Sequence, residues 1–231
     1  MIRRGLLAVF ATLALLLPLT AGDVATFANL GFSPDSAWFM FGQYGIDTGS
    51  SRPWAEMFIV DTKKNDYAAK GHLGRQFDRK LEPGQSAEGA LFTLFSELSP
   101  QAKALKIDHL ANGRLIYVLM DDQEIPQKLE FRDFKTEDSW QVSINKSILQ
   151  GKDGSRSSFG LEITRTAKDG TLRRVTAGNP NLVREGVKDY VIRRVVVAPD
   201  ERTVVIIIEK IVDAKSDRSV RFMVETFKLP N

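Results

Sequence analysis

The chain has 231 residues and no cysteine, so it can form neither a disulfide nor a thiolate metal site, and its stability must come from an apolar core. Its 32 basic residues nearly balance its 29 acidic ones, and without Arg3 and Arg4 of the predicted export signal the counts become 30 and 29. A net charge this small gives little support for nucleic acid or an anionic membrane surface as a partner, and we expect no nucleic-acid binding.

The first 22 residues have the three parts of a secretory signal peptide. Arg3 and Arg4 precede an apolar run from Gly5 to Leu17, and small residues follow at positions 21–22. The run has thirteen residues, well short of the ~20 that cross the hydrocarbon core of a membrane. The sequence therefore predicts a cleaved signal over residues 1–22, a secreted or periplasmic location, and no integral membrane span after cleavage.

Residues 23–231 are expected to form a single exported domain that begins with a β-meander. Strands are predicted over Val24–Phe32, Ala37–Phe41 and Trp54–Val60. Ser33-Pro34-Asp35-Ser36 joins the first two as a turn, because proline presets φ and aspartate hydrogen-bonds to the nearby backbone. The glycine-rich segment from Gly42 to Gly49 is predicted to be a hairpin loop. No helical pattern follows it, so it does not indicate a phosphate-binding loop.

One helical insertion near residues 86–106 interrupts the strands, after a polar surface segment from Lys70 to Gln85. A single apolar face is predicted from residues spaced i, i+3, i+4 and i+7, namely Leu91, Leu94, Phe95 and Leu98. Ser86 is the candidate N-cap. Ser99-Pro100 is expected to end this helix and to begin a second short one that continues to about Lys106. The expected result is a kinked helical pair.

The chain then returns to strands, and three of them form its C-terminal end. Strands are predicted at Arg114–Met120, Lys128–Phe134, Trp140–Ile148, Phe159–Thr166, Leu172–Ala177, Tyr190–Val197, Val204–Ile208 and Val220–Phe227. The five consecutive β-branched residues of Val204–Ile208 predict a strand that is covered on both faces. The predicted fold is therefore mainly β, with antiparallel meanders that form a partial propeller, a sandwich or a barrel, and one short helical insertion.

The two ends of the chain resemble each other. Phe32-Ser33-Pro34-Asp35-Ser36, followed by Trp38–Phe41, aligns with Val197-Ala198-Pro199-Asp200-Glu201, followed by Val204–Ile207. Both segments, with Met57–Asp61 as a later strand that ends in aspartate, resemble the WD40-like β-propeller repeat of periplasmic Tol-type proteins. No third Pro-Asp turn lies between them, and such turns also arise independently in unrelated hairpins.

As a whole, the chain resembles a family of predicted secreted bacterial proteins that is designated a domain of unknown function (DUF2259). The resemblance rests on the signal peptide, on Asn29–Asp35 and on the strand from Trp54 to Asp61. It implies an exported protein, and it carries no assigned activity and no catalytic residue.

Trp38, Tyr44 and Trp54 are the candidate binding residues. Successive side chains of a strand point to opposite faces, so Trp38 and Phe39 should lie on different faces of the sheet. We expect the three aromatics to form a patch beside the loop from Gly42 to Pro53, where an envelope protein or a glycan would bind. Packing of these rings in the core is the alternative.

The alternative function is a carbohydrate-active hydrolase that uses the carboxylate pair Asp121 and Glu137. Two carboxylates within several ångströms of each other can hydrolyse glycosides, and this pair would have to share a cleft beside Trp140. Acidic residues in loops are also typical of solvated turns. The two histidines, His72 and His109, match no metal-ligand spacing, so no metal and no cofactor is expected.

The favoured interpretation is an exported, non-catalytic binding or protein-interaction module of the cell envelope. A third hypothesis is a structural protein that assembles through an exposed strand edge. In that case, deletion of Val220–Asn231 should abolish assembly.

Overall fold

The computed structural model describes residues 23–121, 123–126, 128–152, 154–213 and 219–230. The predicted signal peptide, residues 1–22, lies outside this part of the chain. In chain order the described residues form β1 (Thr26–Phe32), β2 (Trp38–Asp47), β3 (Arg52–Asp61), β4 (Asp66–Gln76), α1 (Glu88–Ala104), β5 (Arg114–Val118), β6 (Lys128–Arg132), β7 (Ser139–Gly151), β8 (Gly154–Thr166), β9 (Leu172–Glu185), β10 (Val187–Val197), β11 (Thr203–Val212) and β12 (Ser219–Lys228).

These strands form three antiparallel sheets of four strands each. Sheet I has the order β1-β2-β3-β4, sheet II the order β12-β11-β10-β5, and sheet III the order β6-β7-β8-β9. Sheets I and III are meanders of consecutive strands, whereas sheet II combines β5 with the last three strands of the chain. The prediction of a mainly β fold with antiparallel meanders and one helix is confirmed.

Three apolar clusters stack the elements in the order α1, sheet I, sheet II, sheet III. The cluster between α1 and sheet I contains Leu94 and Met57, and the cluster between sheets I and II contains Phe41 and Ile207. The cluster between sheets II and III contains Ile206 and Phe159. Within the described residues the stack stays open and does not close into a barrel. The architecture is therefore that of a sandwich or a partial propeller.

Strand β11 lies in the middle sheet and is covered on both faces, as the sequence predicts. Val204, Ile206 and Ile208 pack in the cluster against sheet III, while Val205 and Ile207 pack in the cluster against sheet I. All five side chains are fully buried. An unbroken run of β-branched residues thus serves two cores at once, because alternate residues of a strand face opposite sides.

Both Pro-Asp turns form as predicted, and they share one geometry. The N–H of Ser36 donates to the carbonyl of Ser33 at 2.8 Å, and the N–H of Glu201 donates to that of Ala198 at 2.9 Å. The residue after aspartate has a positive φ in each turn, +56° at Ser36 and +54° at Glu201. The sequence similarity of the two segments therefore corresponds to a similarity in backbone conformation.

The segment from Gly42 to Gly49 is mostly strand β2, so the prediction of a long hairpin loop there was wrong. The turn itself is limited to residues 48–51. The glycines permit close packing instead: a Cβ at Gly42 would lie 2.5 Å from Cδ1 of Leu91, and one at Gly45 would lie 2.8 Å from the ring of Trp54. Leu91 lies far along the sequence in α1, and Trp54 meets Gly45 only through the pairing of β2 with β3. The local pattern therefore could not distinguish a packing glycine from a turn glycine.

Strand β4 is an element that the sequence pattern missed, since part of it falls in the predicted polar segment from Lys70. It lies at the edge of sheet I, is mostly exposed, and contains a bulge where Lys70 has a φ of +57°. An exposed edge strand needs no alternation of apolar and polar residues. The bulge and the lysine are features that discourage pairing with another chain.

Helix α1 is one helix and not the expected kinked pair. Pro100 has no N–H to donate to the carbonyl of Ser96, which would otherwise be left without its helical partner. The hydroxyl of Ser99 donates to that carbonyl at 3.3 Å. The helix consequently continues through Pro100 to Ala104.

The start of α1 also differs from the prediction by one residue. Ala87 occupies the N-cap position and makes no side-chain cap. The predicted cap, Ser86, still accepts a hydrogen bond from the N–H of Glu88 at 3.1 Å. One of the free N–H groups of the first turn is therefore satisfied by the residue that the sequence indicates.

The outer edge of β12 is occupied by the start of the described chain. Val220 donates its N–H to the carbonyl of Asp23 at 2.9 Å and accepts from the N–H of Ala25 at 3.1 Å. Residues 23–25 thus add to sheet II as a short parallel segment.

Two side-chain amides continue this edge as a neighbouring strand would. Gln43 accepts from the N–H of Phe222 at 2.6 Å and donates to its carbonyl at 3.3 Å, and Asn65 accepts from the N–H of Thr226 at 2.7 Å. The backbone groups that assembly through this edge would use are therefore already bonded within the chain at these positions.

Candidate functional site

The three aromatics predicted to bind a partner do not share a surface. Trp54 is buried on the face of sheet I that packs on sheet II. Its indole N–H donates to Asp23 at 3.0 Å, and the guanidinium of Arg221 lies 3.7 Å from its ring centroid. Trp38 and Tyr44 are half-buried in the cluster on the opposite face, roughly 20 Å apart along β2. The prediction that Trp38 and Phe39 face opposite sides is confirmed.

Asp121 and Glu137 lie towards opposite ends of β5. The side chain of Asp121 is 97% exposed beyond the end of β5, where it pairs with Arg193 at 2.9 Å. Glu137 lies in the β6–β7 turn, whose Asp133 pairs with Arg114 at the start of β5. The length of β5 alone separates these ends by about 13 Å. The geometry therefore does not bring the two carboxylates into one cleft.

The two histidines pack against neighbouring groups. The His72 ring stacks on Phe58, with 4.6 Å between ring centroids, and Nδ1 of His109 donates to the carbonyl of Leu30 at 2.6 Å. Among the described residues, no group of three or more histidine, aspartate and glutamate side chains could hold a metal ion.

An opening forms where sheets II and III both lose their outer strand at one level of the stack. Strand β10 pairs with β5 only from Arg194 to Val197, and β7 pairs with β6 only from Ser139 to Ser143. In the described part of the chain, residues 187–192 of β10 and 144–151 of β7 have no strand beside them on that edge. We call the opening between these two strand segments the notch.

A pocket of about 410 Å³ lies in the notch. Its lining is mainly aliphatic and comes from both sheets and from the β5–β6 connection: Leu129, Val142, Ile144, Val191, Ile192, Ile125 and Pro126. This volume falls within the range of about 300–1,000 Å³ that is typical of ligand sites.

The polar side chains that line the pocket already have partners within the chain, and the amide of Asn145 donates to Glu162 at 2.8 Å. Lys146 donates to Asp189 at 2.6 Å, which links β7 to β10. The hydroxyl of Tyr190 accepts from the hydroxyl of Ser157 at 2.9 Å. What the notch offers is therefore apolar surface and the backbone of two strand edges.

Sequence reasoning missed the notch completely. The predicted strands over 114–120 and 128–134 differ only slightly from β5 and β6, but the opening depends on how far their partners β7 and β10 extend past them. The sequence signal was that the strands β7 and β10 are longer than β5 and β6. This difference indicates an opening only once it is known which strands pair.

The fold and the notch define a layered β-protein with one packing helix and an apolar pocket at an open strand edge. The chain belongs to the family described as Predicted secreted protein (DUF2259), whose sequence model matches residues 40–228. This confirms the resemblance, and with it the secreted location that residues 1–22 predict. A search of curated proteins finds no significant match. No helix in the described ranges is long and apolar enough to cross a membrane.

Proposed function

We propose that this secreted protein is a non-catalytic binding module of the cell envelope that holds an extended apolar segment of a partner protein in the notch. One observation carries the proposal: sheets II and III lose their outer strands at the same level, and an aliphatic pocket opens between them.

The aliphatic lining favours an apolar group of the partner. Transfer of apolar surface out of water is favourable by about 25 cal/mol per Å². A partner side chain seated between Ile125 and Ile144, which are both partly exposed, would remove surface of both molecules from water. The Lys146–Asp189 pair is already formed within the chain, so it gives no reason for a charged ligand.

The strand edges favour an extended partner backbone. In a strand, the backbone N–H and C=O groups of alternate residues point to opposite sides. Over residues 187–192, β10 pairs with β11 on one side only, so alternate groups point toward the notch. An added strand would satisfy them while its side chains enter the pocket, which is a known mode of peptide recognition.

The hydrolase alternative requires Asp121 and Glu137 in one cleft. Their separation by the length of β5 favours the binding module over a hydrolase that uses this pair.

Site-specific crosslinking tests the proposal. Ile125 at the mouth of the pocket and Leu172 at the far edge of sheet III are both 51% exposed, which makes them a matched pair. A photoreactive phenylalanine at each position, in tagged protein irradiated in intact cell envelopes, would show by mass spectrometry which surface meets a partner. We expect one stoichiometric crosslinked protein from position 125 and none from position 172.

Ile125→Asp and Leu172→Asp provide the binding control. Both changes place a charge on the surface, so neither should unfold the protein. We expect co-purification of the partner to be lost with Ile125→Asp and retained with Leu172→Asp. Equal capture from both positions, or no capture from position 125, would overturn the proposal.

A further inference from the structure

The connection between α1 and β5 links sheet I to sheet II. The N–H of Phe32, at the end of β1, donates to the carbonyl of Ala111 in this connection at 2.9 Å. Arg114, the first residue of β5, pairs with Val197 of β10. Only residues 112–113 lie between these two attachment points, so the length of their backbone sets the link between the two sheets here.

The second residue of this link, Gly113, has to be glycine. Its φ is +71°, and a Cβ there would lie 2.7 Å from the carbonyl oxygen of Val197 and 3.0 Å from the ring of Phe32. Both the backbone conformation and the close packing therefore exclude a side chain. Because the preceding residue is Asn112, the junction contains the one Asn-Gly pair of the sequence.

The groups of Asn112 and Gly113 that would react with each other are not held by hydrogen bonds. Both residues are exposed and lie outside the helix and the strands. Among the described residues, neither the side-chain amide of Asn112 nor the N–H of Gly113 has a hydrogen-bond partner. The main-chain carbonyl of Asn112 does accept, from the amide of Asn29 at 2.8 Å. Glycine has no side chain that could shield its nitrogen from the neighbouring amide.

We propose that Asn112 is a site of spontaneous covalent modification. The main-chain nitrogen of Gly113 attacks Cγ of Asn112, the new N–Cγ bond closes a succinimide ring, and the Cγ–Nδ2 bond breaks. Ammonia leaves with the proton of the attacking nitrogen. Water then opens the ring at either carbonyl, and the product is aspartate or isoaspartate. Water is the only other reactant, and the reaction does not depend on the notch.

The isoaspartate product changes the link between the sheets. Its main chain runs through Cβ and Cγ, so the backbone between Ala111 and Arg114 becomes longer by a carbon atom. Gly113 is packed closely on Val197 and Phe32, so the extra atom displaces this glycine or one of the two attachment points. The aspartate product adds a charge but keeps the length of the backbone. Formation of isoaspartate should therefore weaken the junction as the secreted protein ages.

Peptide mapping by mass spectrometry tests the site. Folded protein and protein unfolded in guanidinium chloride are incubated side by side, and the converted fraction of each asparagine is followed. In the folded protein, we expect Asn112 to convert faster than Asn181, which is also exposed but precedes leucine. The rate should rise with pH, because the attacking nitrogen must lose its proton. Equal rates at the two asparagines, or conversion of Asn112 in the unfolded protein only, would overturn the proposal.

Two variants separate the effect of the longer backbone from that of the charge. Asn112→Asp adds the charge alone at an exposed position, so it should keep the melting temperature of the native protein. Asn112→Gln removes the asparagine that forms the succinimide, so its melting temperature should not change during the incubation. Native protein that has accumulated isoaspartate should melt at a lower temperature than both. An unchanged melting temperature in that converted protein would refute the effect on the junction.

Discussion

The backbone N–H of Asp200 donates to the hydroxyl oxygen of Ser36 at 3.2 Å. The two residues belong to the two Pro-Asp turns, so the segments that resemble each other in sequence also touch in space. Ser36 is buried, and its carbonyl accepts from the hydroxyl of Thr62 at 2.7 Å. This contact fixes the β1–β2 turn of sheet I against the β10–β11 turn of sheet II.

Ser36→Ala should lower the free energy of unfolding by about 1 kcal/mol, because it leaves the N–H of Asp200 without its acceptor. Ser51→Ala is the matched control, since Ser51 has the same φ of +56° but is exposed. Urea denaturation of both variants measures the difference. Equal losses in the two would mean that the bond between Asp200 and Ser36 contributes nothing.

The middle sheet should be equally sensitive on its two faces. Ile206→Ala opens a cavity toward sheet III and Ile207→Ala opens one toward sheet I, so each should cost about 2–5 kcal/mol. Leu149→Ala, at a position that is exposed on β7, should change stability by no more than about 0.5 kcal/mol. Chemical denaturation of the three variants checks this. A small effect at either isoleucine would contradict the stacking of three sheets.

Gly31 and Gly89 should respond to alanine in opposite directions. Gly31 has a φ of +100°, and a Cβ there would lie 2.1 Å from the carbonyl oxygen of Asp108. Gly31→Ala should therefore destabilise the protein by roughly 1–3 kcal/mol. Gly89 lies in α1 with nothing within 4 Å of a new Cβ, so Gly89→Ala should stabilise it by about 0.5–1 kcal/mol. Thermal and urea unfolding measure both signs, and a neutral Gly31→Ala would refute the close approach.

Glu225 should make the stability depend on pH. Burial raises the pKa of Glu225, although a hydrogen bond from Asn65 and the charge of Arg184 oppose the shift. A carboxyl whose pKa is higher in the folded than in the unfolded protein adds most to the free energy of unfolding when the pH is below the ordinary pKa. This contribution is lost as the pH rises through the pKa of the folded state. The stability of the native protein relative to Glu225→Gln should therefore fall as the pH rises from about 4 toward neutrality.

Glu97→Gln is the control, because the stability contribution of Glu97 should change with pH in the opposite direction to that of Glu225. The hydrogen bond from Arg75 lowers the pKa of the exposed Glu97, so its contribution should instead be lost as the pH falls. Unfolding free energies measured for both variants across this pH range test the two signs. A flat difference for Glu225→Gln would show that Glu225 does not titrate abnormally.

The parts of the fold that were predicted correctly are those where local chemistry and tertiary structure agree. The run Val204–Ile208 predicts a strand with two buried faces, and the two Pro-Asp turns form because their geometry is set within four residues. Gly42 was misassigned because Leu91, which requires the small residue, lies far along the sequence in α1. Gly45 was misassigned because Trp54 meets it only once β2 and β3 pair. Pro100 was misassigned because the hydroxyl of Ser99 compensates for the missing N–H.

The candidate sites were less predictable than the fold. Asp121 and Glu137 were chosen for residue type, but whether two acids share a cleft depends on which end of β5 each one adjoins. The notch depends on where β5 and β6 end relative to their partners.

The order of the strands in sheet II also constrains how the chain can fold. Strand β5 comes before all four strands of sheet III in the sequence, yet it pairs with β10, which comes after them. Residues 23–25 pair with β12, near the other end of the chain. Sheets I and III can form from consecutive hairpins, but the sheet between them is completed only after β12 has been synthesised. Pairings between distant segments slow folding. Until β10–β12 dock, the inner faces of sheets I and III remain uncovered, so a chain truncated before β10 should aggregate.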